Sequence, residues 1–186
     1  MPFALPDWVL NRWSVRAFNA LYYAVHALRK GAAREPYHVF FYPLDSIRQW
    51  NLLYGKRGFL QYQCVIPEPR LDAFAELLER IARSGTGSFL GVLKQFGSAP
   101  PAGMLSFPRP GLTLALDFPM RGERTLSLMR SFDEVVQQSG GALYPAKDAR
   151  MSAAMFETSY PGWRGLIPYV DPKISSSFWR RVTGLP

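Results

Sequence analysis

Gln61, Gln63, Lys94 and Thr113 are the residues whose types and spacing could handle a ligand. All four fall in stretches with strand character, at 59–66, 89–96 and 112–118. Side chains on a strand alternate between its two faces, so each stretch divides into two sets. The first separates Leu60, Tyr62, Cys64 and Ile66 from Phe59, Gln61, Gln63 and Val65. The second separates Phe89, Gly91, Leu93 and Gln95 from Leu90, Val92, Lys94 and Phe96, and the third Leu112, Leu114, Leu116 and Phe118 from Thr113, Ala115 and Asp117. If helices cover the apolar sides, one lysine and several neutral hydrogen-bonding groups meet on the other face. Such a face has the character of a pocket floor. It is equally the solvated side of an ordinary antiparallel sheet, and the pattern alone leaves both readings open.

The elements that must position these residues follow from periodicity and punctuation. A helix is expected over 14–30, with Ser14 as N-cap, Val15, Phe18, Leu21, Tyr22, Val25 and Leu28 on one side, and Gly31 as a stop. Residues 37–42 are apolar and aromatic and read as a strand ended by Pro43, after which Asp45 can cap a helix over 46–54. Pro67 and Pro69 prepare a helix running to Arg83, burying Leu71, Phe74, Leu78 and Ile81. The glycines at 85 and 87 lie between a helix and a strand, the reverse of the order in a dinucleotide fingerprint, so they read as a turn. The proline- and glycine-rich connection at 97–111 has the length of a binding loop or lid. A helix over 123–139 and a short strand at 142–144 complete the order strand, helix, strand, strand, helix, strand. That is the split β-α-β arrangement of a ferredoxin-like α+β fold, an antiparallel sheet with both helices on one face. Three regions result: an N-terminal helical segment at 1–36, the sheet and helices at 37–144, and a helical C-terminal tail at 145–186. The tail has helix signals at 151–159 and 175–182, and its Phe156, Trp163, Phe178 and Trp179 are expected to pack on another domain.

Composition removes several classes of function. The chain has 186 residues, 48% of them hydrophobic, enough for one domain with a core. Its formal charge of +8 favours anionic partners such as phosphorylated ligands or an acidic membrane surface, but no nucleic-acid motif accompanies the charge, which disfavours nucleic acid. Cys64 is the single cysteine, excluding an internal disulfide, and its apolar neighbours favour a core thiol. With His26 and His38 as the only histidines, a His-rich metal site is excluded. No apolar run approaches the ~20 residues of a membrane span. The opening residues lack the basic start of a signal peptide, so a cytoplasmic location is expected, with peripheral contact to an inner membrane left open by the aromatic and basic first helix.

The segments FYPLDSIRQWNLLYGKRGFLQYQCVIP, SFLGVLKQFG, LSFPRPGLTLALDFP, GALYPAKDAR and YVDPKISSSFWRR closely resemble, in order, the C-terminal half of the decaprenylphosphoryl-ribose oxidase group. That group lies within the vanillyl-alcohol-oxidase-like flavoproteins. The resemblance implies a substrate domain whose sheet covers the isoalloxazine of FAD, with the flavin-binding domain or subunit as partner. It implies pocket roles for Lys94 and the neighbouring Phe96, a substrate contact for Gln63, a position near flavin and substrate for Lys147, and a flavin contact for Tyr144. A desolvated lysine can help remove a hydroxyl proton, so Lys147 or Lys94 is the implied acid–base group, with Gln63, Tyr42 and Thr113 orienting the substrate. Tyr42, Thr113 and Ala115 stand where the group's oxidase has histidine, asparagine and a reactive cysteine. The implied function is therefore the substrate-binding half of a FAD-dependent oxidoreductase acting on a sugar-like or other alcohol, whether or not phosphorylated or lipid-linked, and incomplete without its flavin domain. The alternative is a non-catalytic remnant or a ligand-binding or interaction domain.

Overall fold

In the computed structural model, residues 6, 9, 11–28, 31, 34–42, 48–86, 88, 91–147 and 150–186 are described. Four strands form one antiparallel sheet: β1 (Phe59–Ile66), β2 (Gly91–Phe96), β3 (Gly111–Pro119) and β4 (Ala142–Leu143), in the order β2-β3-β1-β4. Two helices, α3 (Leu71–Ser84) and α4 (Glu123–Gln138), pack side by side against it. This is the expected α+β architecture in the split β-α-β order. Phe89 and Leu90, at the start of the expected second strand, lie outside the described residues.

The apolar sides of the strands face the helices, as alternation requires. Tyr62, Cys64 and Ile66 of β1 and Leu114 and Phe118 of β3 meet Phe74 and Leu77 of α3 and Met129, Phe132 and Val136 of α4. Cys64 is fully buried, and desolvation pushes its thiol up to about 12, so it behaves as an apolar core group. Leu71 and Leu78, assigned to the buried side of α3 from periodicity, are exposed, whereas Ala73 is buried.

A close approach fixes the start of β3. Gly111 has φ +153°, and a Cβ there would press into the carbonyl of Ile66 and come within 3.1 Å of the Pro67 Cα. Gly111→Ala is therefore expected to lower stability by about 3 kcal/mol or more, combining backbone strain with overpacking, as read from a urea unfolding curve.

Outside the sheet the structure departs from the sequence reading. Residues 37–42 do not form a strand: Tyr37–Phe41 is a short helix, α2, closed by Tyr42 N–H donating to the His38 carbonyl at 2.9 Å. Aromatic and β-branched residues favour strands through packing against a neighbouring strand, and among the described residues α2 has none; all its residues are exposed. The first helix, α1, spans Arg12–Ala27 and is capped by Asn11, whose side chain accepts from the N–H groups of Trp13 and Ser14, while Ser14 returns the bond as the other half of a capping box. Of the helix expected over 46–54, Trp50–Tyr54 forms a 3-10 turn, and Asp45 lies outside the described residues.

The tail packs on this chain. Helix α5 (Ala153–Ser159) and helix α6 (Ser177–Thr183) flank a 3-10 stretch at Pro161–Tyr169. Met151, Met155, Phe156, Tyr160, Trp163 and Val182 join the core, and the Tyr160 hydroxyl donates to the Leu143 carbonyl at 2.5 Å. Ile167, Tyr169 and Ile174 remain exposed. No helix among the described residues is long and apolar enough to cross a membrane.

Candidate functional site

The sheet face turned away from α3 and α4 carries a polar strip between two aromatic ends. Register builds it: Gln61 lies opposite Asp117, Gln63 opposite Ala115, which pairs in turn with Val92, and Val65 opposite Thr113, which pairs in turn with Lys94. At one end Trp50 and Tyr54 pack on Phe59, with the Tyr54 and Phe59 rings stacked at 4.4 Å. At the other, Phe107 from the 97–111 loop lies 5.9 Å from Phe96 and 4.7 Å from Tyr144, over Val65 and Ala142. The loop thus covers one end of the face and leaves the polar strip between.

Both glutamines are locked by partners beneath them. Gln61 Nε2 donates to Asp117 Oδ1 at 3.0 Å, and Gln63 Nε2 donates to Thr113 Oγ1 at 3.2 Å. Asp117 and Thr113 are 4% and 1% exposed, so these amides are anchored from below. With each NH2 group so engaged, each amide keeps its carbonyl oxygen as an acceptor for a ligand donor.

Asp117 is the site residue that sequence reasoning missed. Its carboxylate also accepts from the Tyr54 hydroxyl at 3.3 Å, and its backbone N–H donates to Ser88 Oγ at 2.9 Å. Burial raises its pKa from the ordinary aspartate value, against the lowering effects of Gln61, Tyr54 and the positive charge of Lys147. Alternation had placed Asp117 on this face; only the β1–β3 register pairs it with Gln61.

A pKa raised on folding means that Asp117 supports the fold most when protonated. Its contribution is fully present below the unfolded carboxylate pKa and is lost as pH rises through the folded value. In urea midpoints taken between pH 4 and 7, the stability of wild type relative to Asp117→Asn is therefore expected to fall as pH rises. A constant difference would show that the buried carboxyl does not titrate in this window.

The remaining candidates are placed unequally. Lys147 closes a 3-10 turn, Pro145–Lys147, just beyond β4. Because β4 is only two residues long, the edge of β1 beside Gln61 is open, and a narrow cleft there is lined by Gln61, Gln63, Tyr144, Lys147 and Arg150. Tyr144 is fixed by its N–H, which donates to the Gln63 carbonyl at 2.9 Å, and by its ring against Phe107. Lys94 sits across β3 from this cleft, exposed and beside buried Thr113. The sheet thus brings Gln63, Thr113, Lys94, Phe96, Tyr144 and Lys147 onto one face. It does not bring Tyr42, which is 57% exposed and makes no side-chain hydrogen bond or ring contact among the described residues.

An aromatic-walled strip with two acceptor amides and two lysines suits a hydroxylated ligand: the amides accept from hydroxyls and the lysine side chains hydrogen-bond to them. Among the described residues there is no cluster of His, Cys, Asp and Glu able to hold a metal ion.

No family model matches the chain. It is 35% identical over 175 residues to the decaprenylphosphoryl-beta-D-ribose oxidase of Mycolicibacterium smegmatis, a match covering 92% of this chain and 37% of that protein. It is also 34% identical over 130 residues to a Streptomyces coelicolor protein described as an uncharacterized protein in mprA 5'region, covering 67% of this chain and 35% of that one. The chain spans little more than a third of the length of these curated relatives. It is thus a relative of an oxidase through one portion of that enzyme's length.

Proposed function

We propose that the chain is the substrate-binding part of a flavin-dependent oxidoreductase that oxidises a sugar or other alcohol, with FAD carried by a flavin-binding domain or subunit outside these 186 residues. The observation that carries this reading is the pair of anchored amides, Gln61 on Asp117 and Gln63 on Thr113, set beside Lys147 on an open face. Similarity to an oxidase of a phosphoryl-linked ribose supports both the redox class and a polyhydroxylated substrate.

FAD, when bound, would supply a hydride acceptor for the oxidation of the alcohol to a carbonyl, which also requires the hydroxyl proton to be taken up. This chain's residues supply the rest. Gln61 and Gln63 accept from substrate hydroxyls and fix the ring's orientation. Lys147 takes up the leaving hydroxyl proton, and the buried Asp117 carboxylate nearby balances the charge that results. Lys94, on the far side of the strip, holds the substrate's other end. Tyr144 and Lys147 are the residues that would meet the flavin ring, and the exposed Ile167, Tyr169 and Ile174 offer the tail an apolar contact with the flavin domain.

Co-expression with a flavin-binding domain from a related oxidase tests the proposal. The expected product is a yellow complex whose flavin absorbance is bleached anaerobically by an alcohol substrate. A panel of flavin domains that fold with FAD but never co-purify with this chain would overturn it.

A further inference from the structure

Helix α1 is inside out with respect to the sheet and helices that follow it. At 3.6 residues per turn, Trp13, Leu21, Tyr22, Val25 and Leu28 share one half of its circumference, and Arg12, Arg16, Asn19 and Tyr23 share the other. A surface helix ordinarily turns its apolar stripe to the core. Here the polar side looks inward: Arg12, Arg16, Asn19 and Tyr23 are among the residues lining an open cleft of about 660 Å³ that α3 lines with Ile81 and Ala82. The apolar side looks outward, with Trp13 62% and Leu28 81% exposed, and no residue of α1 is buried. The next helix, α2, adds exposed Tyr37, Phe40 and Phe41.

From this orientation we infer that α1 lies flat on an anionic lipid surface, with its apolar side sunk among the acyl chains. Charge selects lipid over a protein partner. Between Trp8 and Arg34 the chain has five basic residues, Arg12, Arg16, Arg29, Lys30 and Arg34, and no acidic one. Basic residues around an aromatic and aliphatic face are the composition of an interfacial helix, and tryptophan and tyrosine favour headgroup depth. Arg12 lies over the Trp13 ring at 4.4 Å, which holds a cation beside the ring that enters the interface. A second copy of this chain docked on the same face would meet the same cations, and like charges oppose that. The 16 residues of α1 make a rod of about 24 Å, short of the ~30 Å hydrocarbon core, so the helix lies in the plane of the surface. A helix diameter of about 10 Å and a penetration of roughly 5–10 Å bring Arg12 and Arg16 within a Debye length of the headgroups. Among the described residues no acidic side chain lines the cleft behind them, so nothing there offsets their charge.

Its test needs neither flavin nor turnover, so its outcome is separable from that of the oxidase proposal. The full 186-residue chain is floated with phosphatidylcholine vesicles made with and without phosphatidylglycerol. Binding is expected to the vesicles that contain phosphatidylglycerol, much weaker to phosphatidylcholine alone, and reduced by added salt. Leu21→Glu and Leu28→Glu should each lower the partition coefficient roughly tenfold or more, because each puts a charge on the side that enters the acyl chains. Arg12→Gln and Arg16→Gln should each lower it roughly fivefold. Arg130→Gln, on an exposed pair with Glu123 of α4, should leave it unchanged. Because Leu21 and Leu28 are exposed, their variants are expected to keep the wild-type urea midpoint, which reports folding independently of binding. Absence of binding to the anionic vesicles, or binding that survives both leucine substitutions, would overturn the inference. If those substitutions instead dissolve a dimer, or block co-purification with a flavin domain while vesicle binding stays as in wild type, the face belongs to a protein and the lipid assignment is overturned.

Discussion

Asp133→Ala is expected to destabilise the fold by about 3–5 kcal/mol, because it leaves the Arg150 guanidinium without its carboxylate in a largely buried place. Arg150 Nη1 and Nη2 contact Asp133 Oδ2 and Oδ1 at 2.5 and 2.9 Å in a two-pronged pair, with side-chain exposures of 17% and 18%. The Tyr62 hydroxyl donates to the same Oδ1 at 3.1 Å, so one carboxylate joins β1, α4 and the segment after Lys147. Burial raises the Tyr62 pKa well above that of a free tyrosine, with its neighbours Cys64 and Asp133 adding to the effect, so Tyr62 remains a neutral donor throughout the physiological range. The cost of removing one partner is chiefly that of stranding the other charge. Asp133→Leu combined with Arg150→Met should therefore be more stable than Asp133→Ala alone, as read from urea midpoints. A double variant less stable than the single would show the pair to be worth more than its desolvation.

Lys147→Met, in the complex with a flavin domain, is expected to lower kcat by roughly 10²–10⁴-fold, the range for loss of a positioned acid–base group. Lys94→Met should act mainly on KM, since Lys94 lies across the strip from the open β1 edge. The two effects are distinguishable by steady-state kinetics with anaerobic flavin reduction as the direct readout of the oxidation step. Equal losses in KM with unchanged kcat for both variants would remove Lys147 from the proton-transfer role. The predictions are linked, because Arg150 anchors the segment that carries Lys147 and lines the same cleft. Breaking the Asp133 pair should therefore impair turnover even where the fold survives.

Much of this protein was legible before any coordinates. Strand alternation separated Gln61, Gln63, Lys94 and Thr113 from the apolar set, because the period of two is a property of the strand itself. Order and punctuation gave the split β-α-β arrangement, and the burial of Cys64 followed from its neighbours. Other features depend on the assembled sheet. The partnership of Asp117 with Gln61 needs the β1–β3 register, which residues 59–66 and 111–119 do not specify separately. Tyr37–Phe41 has strand-like composition, yet it becomes a helix, and among the described residues no neighbouring strand supplies the packing that makes such composition favourable. The aromatic tail settles on α4 and β4, leaving only part of its apolar surface exposed, a choice made by the shape of the core. A second cleft, beside Tyr54, is lined by Arg57 from the turn before β1 and by Arg121 and Arg124 from the β3–α4 corner, two stretches far apart in the sequence. Periodicity determined which side of each strand each residue occupies. Tertiary structure decided which residues meet there, because contacts between distant segments are set by register and packing.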